Sequence, residues 1–298
     1  MSAPPATRLD AFARWLVSAL ERPRAQTLIL WLSFSALLAS LDTGLAADDY
    51  LHTVMLDRPS PIPGFQRAPL DIFRFCDRRS SPSLLRDGLF SWWDNPDARL
   101  AFLRPLSALT HWFDHALFRN VGWVLHLHSA LWALLLLFGV RALYRELIAD
   151  RALATLAFAL YALDDARGWL VAWVAARNAA IATAISVWCL VAHVRQRRHQ
   201  RQKLGLLGPC LFLLALLAGE GSIAIAAYLL AHALYLEEGP LRQRIARLWP
   251  YLLVLIAWRI VYKALGYGAF GSSLYVDPLT EPASFLKMLI ENGPILLS

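Results

Sequence analysis

Charged side chains are scarce in this chain. Only 17% of its 298 residues are Asp, Glu, Lys or Arg, whereas about 25% is usual in soluble domains. Hydrophobic residues reach 58%, and the mean hydropathy is +0.45. This shortage of charge excludes an ordinary soluble domain and predicts an integral membrane protein.

Cysteine is also rare and follows no recognisable pattern. Cys76, Cys189 and Cys210 lack the spacing of metal ligands, and the last two lie in apolar runs. No disulfide framework is therefore predicted. The sequence also lacks a Ser-His-Asp order, a phosphate loop, a dinucleotide motif and a zinc signature, so those classes of site have no support.

The net charge of +7 is distributed as in a membrane protein. Basic residues cluster in short loops between apolar runs, so no nucleic-acid partner is expected. The same count predicts that the N-terminus and these loops are cytoplasmic, and that the long segment 42–120 is extracytoplasmic. The basic loops contain Arg141, Arg145 and Arg151, then Arg195, Arg197, Arg198, Arg201 and Lys203, then Arg242, Arg244 and Arg247.

The apolar runs predict an all-α, polytopic membrane helix bundle. Residues 1–24 are interpreted as a cytoplasmic amphipathic lead-in without the pattern of a cleaved signal peptide, and residues 266–298 as an extracytoplasmic tail with a helix at 282–291. Between them lies the transmembrane bundle, 25–265. Its apolar runs are 25–41, 121–140, 152–163, 168–194, 204–219, 222–236 and 248–265.

The first extracytoplasmic loop, residues 42–120, is predicted to contain two helical pieces, 83–93 and 98–118. The second piece is amphipathic, so we expect it to lie in the membrane interface. Several tryptophans fit an aromatic belt at that interface: Trp92, Trp93, Trp112 and Trp123.

Acidic residues converge on the predicted extracytoplasmic side. Asp48 and Asp49 follow the first span, and Asp164, Asp165 and Glu220 lie in later turns. Carboxylates near a bilayer are costly unless they bind something or pair with a cation. Two interpretations of the adjacent pair stay open. The two acids are solvated loop residues that cap the next helix, or one of them is the catalytic base of a membrane glycosyltransferase.

Cations on the same side could complete such a site. Arg104 precedes a helix, and Arg177 lies about three turns into an apolar run. Each could offset the charge of a departing phosphate. Each also has a structural alternative. Arg104 can reach lipid headgroups, and Arg177 can pair with Asp164, Asp165 or Glu220.

The histidines of this side are expected to be structural. His126 and His128 lie two positions apart and do not share a helix face, so hydrogen bonding at the helix start is favoured over metal binding. Asp114 is expected to form a local pair with His111 or His115.

Taken together, the motifs resemble the GT-C-type integral membrane glycosyltransferases. The similarity is greatest to the protein O-mannosyltransferase-like group and its bacterial relatives that use polyprenyl-phosphate sugars. Three stretches carry the resemblance in order: Ala47-Asp48-Asp49-Tyr50; Arg104-Pro105-Leu106 with the later Val124 to Leu131; and Ala172 to Asn178 with Gly219-Glu220-Gly221.

The resemblance implies a polyprenyl-phosphate-linked sugar donor, an unknown acceptor, and Asp48 or Asp49 as the base. No cofactor is certain. Some relatives use a divalent metal, but no ligand spacing in this chain demands one. The implied location is the bacterial inner membrane, with the lipid bilayer as a partner. Candidate substrate-binding residues are Arg104, Arg177, Glu220, His126 and Asp165.

The chain also departs from that family. Many relatives have a basic residue where this chain has Gly219, and they usually carry more spans or a further C-terminal domain. We therefore expect the tail 266–298 to begin a part that the chain lacks. The alternatives are a non-catalytic or degenerate membrane subunit of the same fold, and a transporter or flippase.

Overall fold

A computed structural model describes residues 8–199, 205–271 and 275–297. Residues 1–7 of the predicted lead-in, Arg201 and Lys203 of the second basic loop, and the first position of the predicted run 204–219 lie outside the described residues. So do 272–274 and 298 of the tail. The helices are α1 Arg8–Leu20, α2 Ala25–Leu37, α3 Asp48–Leu56, α4 Ser81–Arg86, α5 Pro105–Phe118, α6 Gly122–Leu147, α7 Arg151–Leu163, α8 Gly168–Ala172, α9 Arg177–His199, α10 Leu207–Ala218, α11 Ile225–Tyr235, α12 Leu241–Ala246, α13 Trp249–Ala264 and α14 Pro282–Leu297.

Among the described residues, four helical stretches are long and apolar enough to cross a membrane. Arg151–Leu163 and Leu207–Ala218 are apolar but shorter. The predicted architecture, mostly helical with several membrane-crossing helices, is confirmed at this level. The four stretches are Ala25–Asp42, Gly122–Leu147, Val174–His199 and Leu241–Ala264.

Helices α6 and α9 form the centre of the bundle. Gly139 of α6 lets them approach closely, because a Cβ there would lie 3.1 Å from the indole nitrogen of Trp188 on α9. That indole donates a hydrogen bond to Leu135 O at 3.0 Å. Helices α2 and α7 pack with α6 around Leu30 and Phe158.

Helix α10 covers another side of α9, and α13 packs against α10. Gly208 lies where α10 packs against α13. Glycine allows this close packing, since a Cβ at position 208 would lie 1.9 Å from the Tyr251 hydroxyl. Cys189 of α9 donates to Gly208 O at 3.3 Å in the same place. These contacts bring α9, α10 and α13 into one core with Phe212 and Trp258.

The bundle has two chemically different ends. Arg177 at the start of α9 donates to Leu125 O near the start of α6, so both helices begin beside segment 43–120. We call this the loop end. At the other end, which we call the basic end, Arg195 pairs with Glu146 at 2.7 Å and Arg197 pairs with Glu237 at 2.9 Å. These ion pairs join α9 to α6 and to the end of α11.

A small antiparallel sheet lies at the loop end, which corrects the prediction of an all-α chain. Its strands are β1 Arg74–Cys76, β2 Arg99–Ala101 and β3 Gly268–Phe270, in the order β1-β2-β3. In the register, Leu100 lies opposite Ala269. Three-residue strands are too short to show the alternation by which strands are found in a sequence. The sheet joins the start of the tail to the long loop.

The helices of the loop also differ from the predicted ones. Residues 98–118 are not one helix, because β2 comes first and α5 begins at Pro105, a residue favoured in the first turn. The predicted piece 83–93 is the shorter α4, and α3 was not predicted. The tail helix extends to Leu297 rather than ending at 291.

The predicted span 168–194 is interrupted in the structure. Helix α8 ends at Ala172, Trp173 is extended with φ −115° and ψ 103°, and a 3₁₀ turn, Val174–Ala176, leads into α9. Arg177 therefore lies at the start of α9 at the loop end, not three turns inside a helix. The interruption leaves the backbone N–H of Ala175 available for a contact outside the helix, whereas Ala176 N donates to Trp173 O within the turn.

Candidate active site

Asp49 is a buried anchor at the start of α3. Its Oδ2 accepts a hydrogen bond from Ala46 N at 3.0 Å, and its Oδ1 accepts from Ala175 N at 2.6 Å. The second bond joins the long loop to the turn before α9. Because both carboxylate oxygens of Asp49 accept from backbone amides, this side chain fixes the start of α3 against the turn before α9.

Asp48 has a different environment, although it is the adjacent residue. It is half-buried, and within the described part of the chain its carboxylate has no hydrogen-bond or ion-pair partner. Burial, and then the negative charge of Asp49, raise the pKa of Asp48 above its ordinary value. An unpaired carboxylate with a raised pKa is the kind of group that can accept a proton during a reaction.

Arg177 lies in a closed network and is 0% exposed. Its Nη1 donates to Asp114 Oδ2 at 2.5 Å, its Nε to Ser129 Oγ at 2.9 Å, and its Nη2 to Leu125 O at 2.8 Å. The expected ion pair therefore exists, but its partner is Asp114. The predicted partners Asp164, Asp165 and Glu220 were wrong.

Asp114 also pairs with His128, whose Nδ1 lies 2.8 Å from Asp114 Oδ1. The predicted pairing of Asp114 with His111 or His115 was therefore wrong. His128 Nε2 in turn accepts from Trp132 Nε1 at 3.2 Å. These bonds join α5 to α6 beside the start of α9.

His126 joins two segments that flank the site. It is 0% exposed, its Nδ1 lies 2.8 Å from Val171 O, and its Nε2 lies 2.7 Å from Gly44 O. Both ring nitrogens therefore contact backbone carbonyls. His126 fixes the turn that leads to Asp48 and Asp49, which is a positioning contact.

Arg104 and Glu220 form a second arginine–carboxylate pair at the loop end. The guanidinium is bidentate on the carboxylate, with Nε donating to Oε2 at 2.9 Å and Nη2 donating to Oε1. It also stacks on the Phe102 ring at 4.4 Å and lies 5.1 Å from the Phe73 ring. These contacts fix the guanidinium plane.

Asn178 connects this pair to α9. In the amide orientation that satisfies its hydrogen bonds, its nitrogen donates to Ala175 O at 3.1 Å and its oxygen accepts from Arg104 Nη1 at 3.2 Å. Residues 174–178 therefore contact Asp49, Asp114 and Arg104. This short segment brings Asp48 and Asp49, which we call the acidic motif, into a single cluster with both arginines.

An apolar groove begins at this cluster and extends toward the basic end. Arg104, Asn178 and Glu220 lie at its polar start, and His232 and Leu236 lie at its far end. Its volume is about 890 Å³. The walls come from α6, α7, α9 and α11, with side chains such as Leu143, Tyr144, Thr183, Val187, Ile225 and Tyr228.

Asp165 lies outside the cluster. It is exposed in a 3₁₀ turn, Asp165–Arg167. Asp164 next to it accepts from Ala166 N at 2.8 Å and so caps that turn. The structure brings together Asp48, Asp49, Arg104, Arg177, Glu220 and His126, but it leaves Asp165 aside.

A pair of buried histidines beside the cluster was not predicted. The His52 and His111 rings lie 4.8 Å apart, and three of their nitrogens have no hydrogen-bond partner in the described structure. Burial, then the charges of Arg104 and Arg177, lower the pKa of His52 to about 3. Burial lowers the pKa of His111 well below its ordinary value too. The residues lie 59 positions apart, and no sequence pattern indicates their contact.

Comparison with known protein families, curated proteins and solved structures found no match. The chemical interpretation of the cluster therefore depends on its own geometry.

Proposed function

We propose that this protein is a membrane glycosyltransferase of the GT-C type. It transfers a sugar from a polyprenyl-phosphate donor to an extracytoplasmic acceptor, in a bacterial inner membrane with the N-terminus in the cytoplasm. One observation carries the proposal. An apolar groove along the candidate membrane-spanning helices begins at a fixed guanidinium, Arg104, which Asn178 and Ala175 connect to Asp49.

The groove suits a long isoprenoid chain. On α9 its lining extends from Asn178 to Val194, about 24 Å at 1.5 Å per residue. The hydrocarbon core of a bilayer is about 30 Å thick. A chain that enters from the lipid would therefore have an apolar wall along most of its path, and its phosphate would lie at the polar start.

Arg104 is suited to bind that phosphate. A guanidinium has five N–H donors, and the contacts to Glu220 and Asn178 use three of them. The remaining N–H groups can bind phosphate oxygens without breaking the pair that orients the guanidinium. Glu220 keeps the cation in place while the groove is empty.

In the proposed reaction, Asp48 takes the proton of the acceptor hydroxyl as that oxygen attacks the anomeric carbon of the sugar. The bond from this carbon to the donor oxygen breaks, and the phosphate leaves with the electron pair. Arg104 offsets the charge on the leaving phosphate. Asp49 positions Asp48 by anchoring the start of α3 to Ala175.

Helix α5 would lie along the membrane interface in this arrangement. Leu109, Trp112, Phe113 and Leu117 are exposed and recur at helical spacing. Buried Ser107 and Asp114 of the same helix face the bundle, where Ser107 Oγ donates to Ala218 O at 2.8 Å. The apolar stripe would then be covered by lipid, at the level of the sugar donor.

The first test measures transfer from radiolabelled polyprenyl-phosphate sugars in membranes. Asp48→Asn should lower transfer by about 10²- to 10⁴-fold, the usual contribution of a general base. Asp49→Asn keeps one acceptor oxygen and should retain measurable transfer. Equal transfer by Asp48→Asn and wild type at equal expression would refute the assignment of the base.

A second test fills the groove. Thr183→Trp places an indole in the lining and should weaken donor binding, measured as co-purified polyprenyl phosphate by mass spectrometry. Leu131→Trp is the control, because Leu131 is exposed on α6 outside the groove. Equal loss of lipid in both variants, or in neither, would argue against the groove as the donor site.

A lipid-phosphate transporter is the second candidate. The groove shares Leu147, His232 and Leu236 with a polar cavity of about 780 Å³ at the basic end, so a lipid headgroup has polar surroundings at both ends. A transporter would move polyprenyl phosphate across the membrane of proteoliposomes, and this movement would not depend on Asp48. Transfer that requires Asp48 would exclude it.

A further inference from the structure

At the basic end, three potential metal ligands from different parts of the chain converge. They are His193 of α9, His232 of α11 and Glu237 just after α11, and one donor atom of each lies within 4.8 Å of the others. They are remote from the acidic motif and have no part in the proposed transfer reaction. We propose that they bind one divalent transition-metal ion, with Zn²⁺ as the best fit.

The two imidazoles are buried, and the nitrogens that face Glu237 form no hydrogen bond of normal geometry. His193 is 2% exposed and His232 is 8% exposed. Within the described structure, His193 Nε2 and His232 Nδ1 have no hydrogen-bond partner. Burying a polar nitrogen without a hydrogen-bond partner is unfavourable. Two such nitrogens aimed at one carboxylate are explained if an ion lies between them.

The two distances from the imidazole nitrogens to Glu237 match the ligand separation around a tetrahedral ion. His193 Nε2 and His232 Nδ1 each lie 3.4 Å from Glu237 Oε1. That distance is long for a hydrogen bond. Ligands about 2.0–2.1 Å from a tetrahedral Zn²⁺ are separated from each other by about 3.4 Å. Two imidazole nitrogens and one carboxylate oxygen are a ligand set that Zn²⁺ uses.

The surrounding residues hold these ligands in place. Tyr251 OH lies 3.2 Å from His193 Nδ1, which orients the other ring nitrogen toward Glu237. Arg197 donates to both oxygens of Glu237, at 3.0 and 2.9 Å. A carboxylate oxygen has two lone pairs, so Oε1 can accept from Arg197 and still bind the ion.

The fourth coordination position has access to the polar cavity at the basic end. His232 and Glu237 line that cavity together with Arg197, Arg198 and Arg247. Water or hydroxide can complete the coordination there. The arginines would also attract an anionic ligand, which would offset the excess positive charge of the ion and Arg197.

Metal content tests the proposal. The full chain, purified in detergent with a tag that lacks histidine, is exposed to Zn²⁺ and separated from free ion by gel filtration. Elemental analysis should find about one equivalent in wild type, and at least tenfold less in His193→Gln and His232→Gln. His199→Gln is the control, since His199 is half-exposed at the same end and contacts Glu146. Wild-type zinc content in His232→Gln would overturn the site.

A second measurement does not depend on a variant that folds. Co²⁺ added to metal-free wild type should give the intense visible bands of a tetrahedral site, and Zn²⁺ should remove them by competition. Zn²⁺ should also raise the melting temperature of wild type, and chelator should reverse the rise. Octahedral Co²⁺ spectra together with an unchanged melting temperature would overturn the proposal.

Discussion

The two arginine–carboxylate pairs at the loop end have the same chemistry but different surroundings. The Arg177–Asp114 pair is enclosed by α5, α6 and α9, with side chains that are 0% and 3% exposed. The Arg104–Glu220 pair has side chains that are 13% and 27% exposed, and it lines a groove. The first pair is part of the protein interior, whereas the second can reach a ligand.

The difference shows how burial separates an enclosed charge from one that lines a groove. A buried ion pair must satisfy its donors within the protein, and Arg177 does so with Asp114, Ser129 and Leu125 O. Arg104 lines the groove and has two N–H donors beyond those that bond to Glu220 and Asn178. Its pair with Glu220 orients the cation without enclosing it.

The largest effect is expected from breaking the enclosed pair. Asp114→Ala leaves a buried guanidinium without its counter-charge, which costs roughly 3–5 kcal/mol of stability. Thermal unfolding in detergent should show a large fall in melting temperature. Asp97→Ala is the control, because its pair with Arg78 is exposed and surface pairs contribute about 0–1 kcal/mol. A similar melting temperature for both variants would show that the enclosed pair is no more important for folding than an exposed one.

Breaking the open pair should affect activity more than folding. Arg104→Gln removes the cation that would bind the donor phosphate in the proposed reaction, so transfer should fall by about 10²–10³, the usual loss for one transition-state donor. Its melting temperature should stay much nearer to wild type than that of Asp114→Ala. Glu220→Gln keeps the cation and should lose less transfer. If Arg104→Gln unfolds as readily as Asp114→Ala, both pairs are structural.

The buried histidines beside both pairs predict how stability changes with pH. The pKa of His52 is about 3 in the folded protein and 6.5 in a model peptide, so the unfolded chain binds more protons between these values. Stability should fall as the pH decreases from about 6.5 toward 3, by about 1.4 kcal/mol per pH unit.

His52→Phe keeps an aromatic ring against Phe73 and Phe75 but cannot be protonated. Melting temperatures measured across this pH range should therefore decrease less steeply in the variant. The double variant with His111→Phe should be flatter still, since the pKa of His111 is also lowered. Parallel curves for wild type and both variants would contradict the explanation.

The smallest effect is expected in the pH dependence of transfer, which involves the adjacent acids Asp48 and Asp49. Transfer should fall as the pH decreases through the Asp48 pKa, since a protonated carboxyl cannot accept the acceptor's proton. That pKa is raised by burial and by Asp49, so the fall should begin at a higher pH than for a solvated aspartate. Asp49→Asn removes the negative charge and should move the fall to lower pH. A shift in the opposite direction would contradict this electrostatic account.

Much of the site could be predicted from sequence, but its internal pairing could not. The acidic motif, Arg104 and Glu220 are recognisable because charged residues stand out in apolar surroundings. The partner of Arg177 was missed because Asp114 lies 63 positions earlier, in a loop helix whose docking no local pattern reveals. The break at Trp173 was missed for a related reason, since an apolar sequence continues through it.

The sequence by itself determined the helical bundle and the approximate position of most long helices. These features depend on composition and local hydrophobicity, which act over a few turns of chain. The tertiary structure alone decided which charges are enclosed and which face the groove, and which histidines meet Glu237. Such contacts depend on long-range packing, and a difference of a few ångströms there decides whether a charged side chain is a structural partner or a ligand-binding group.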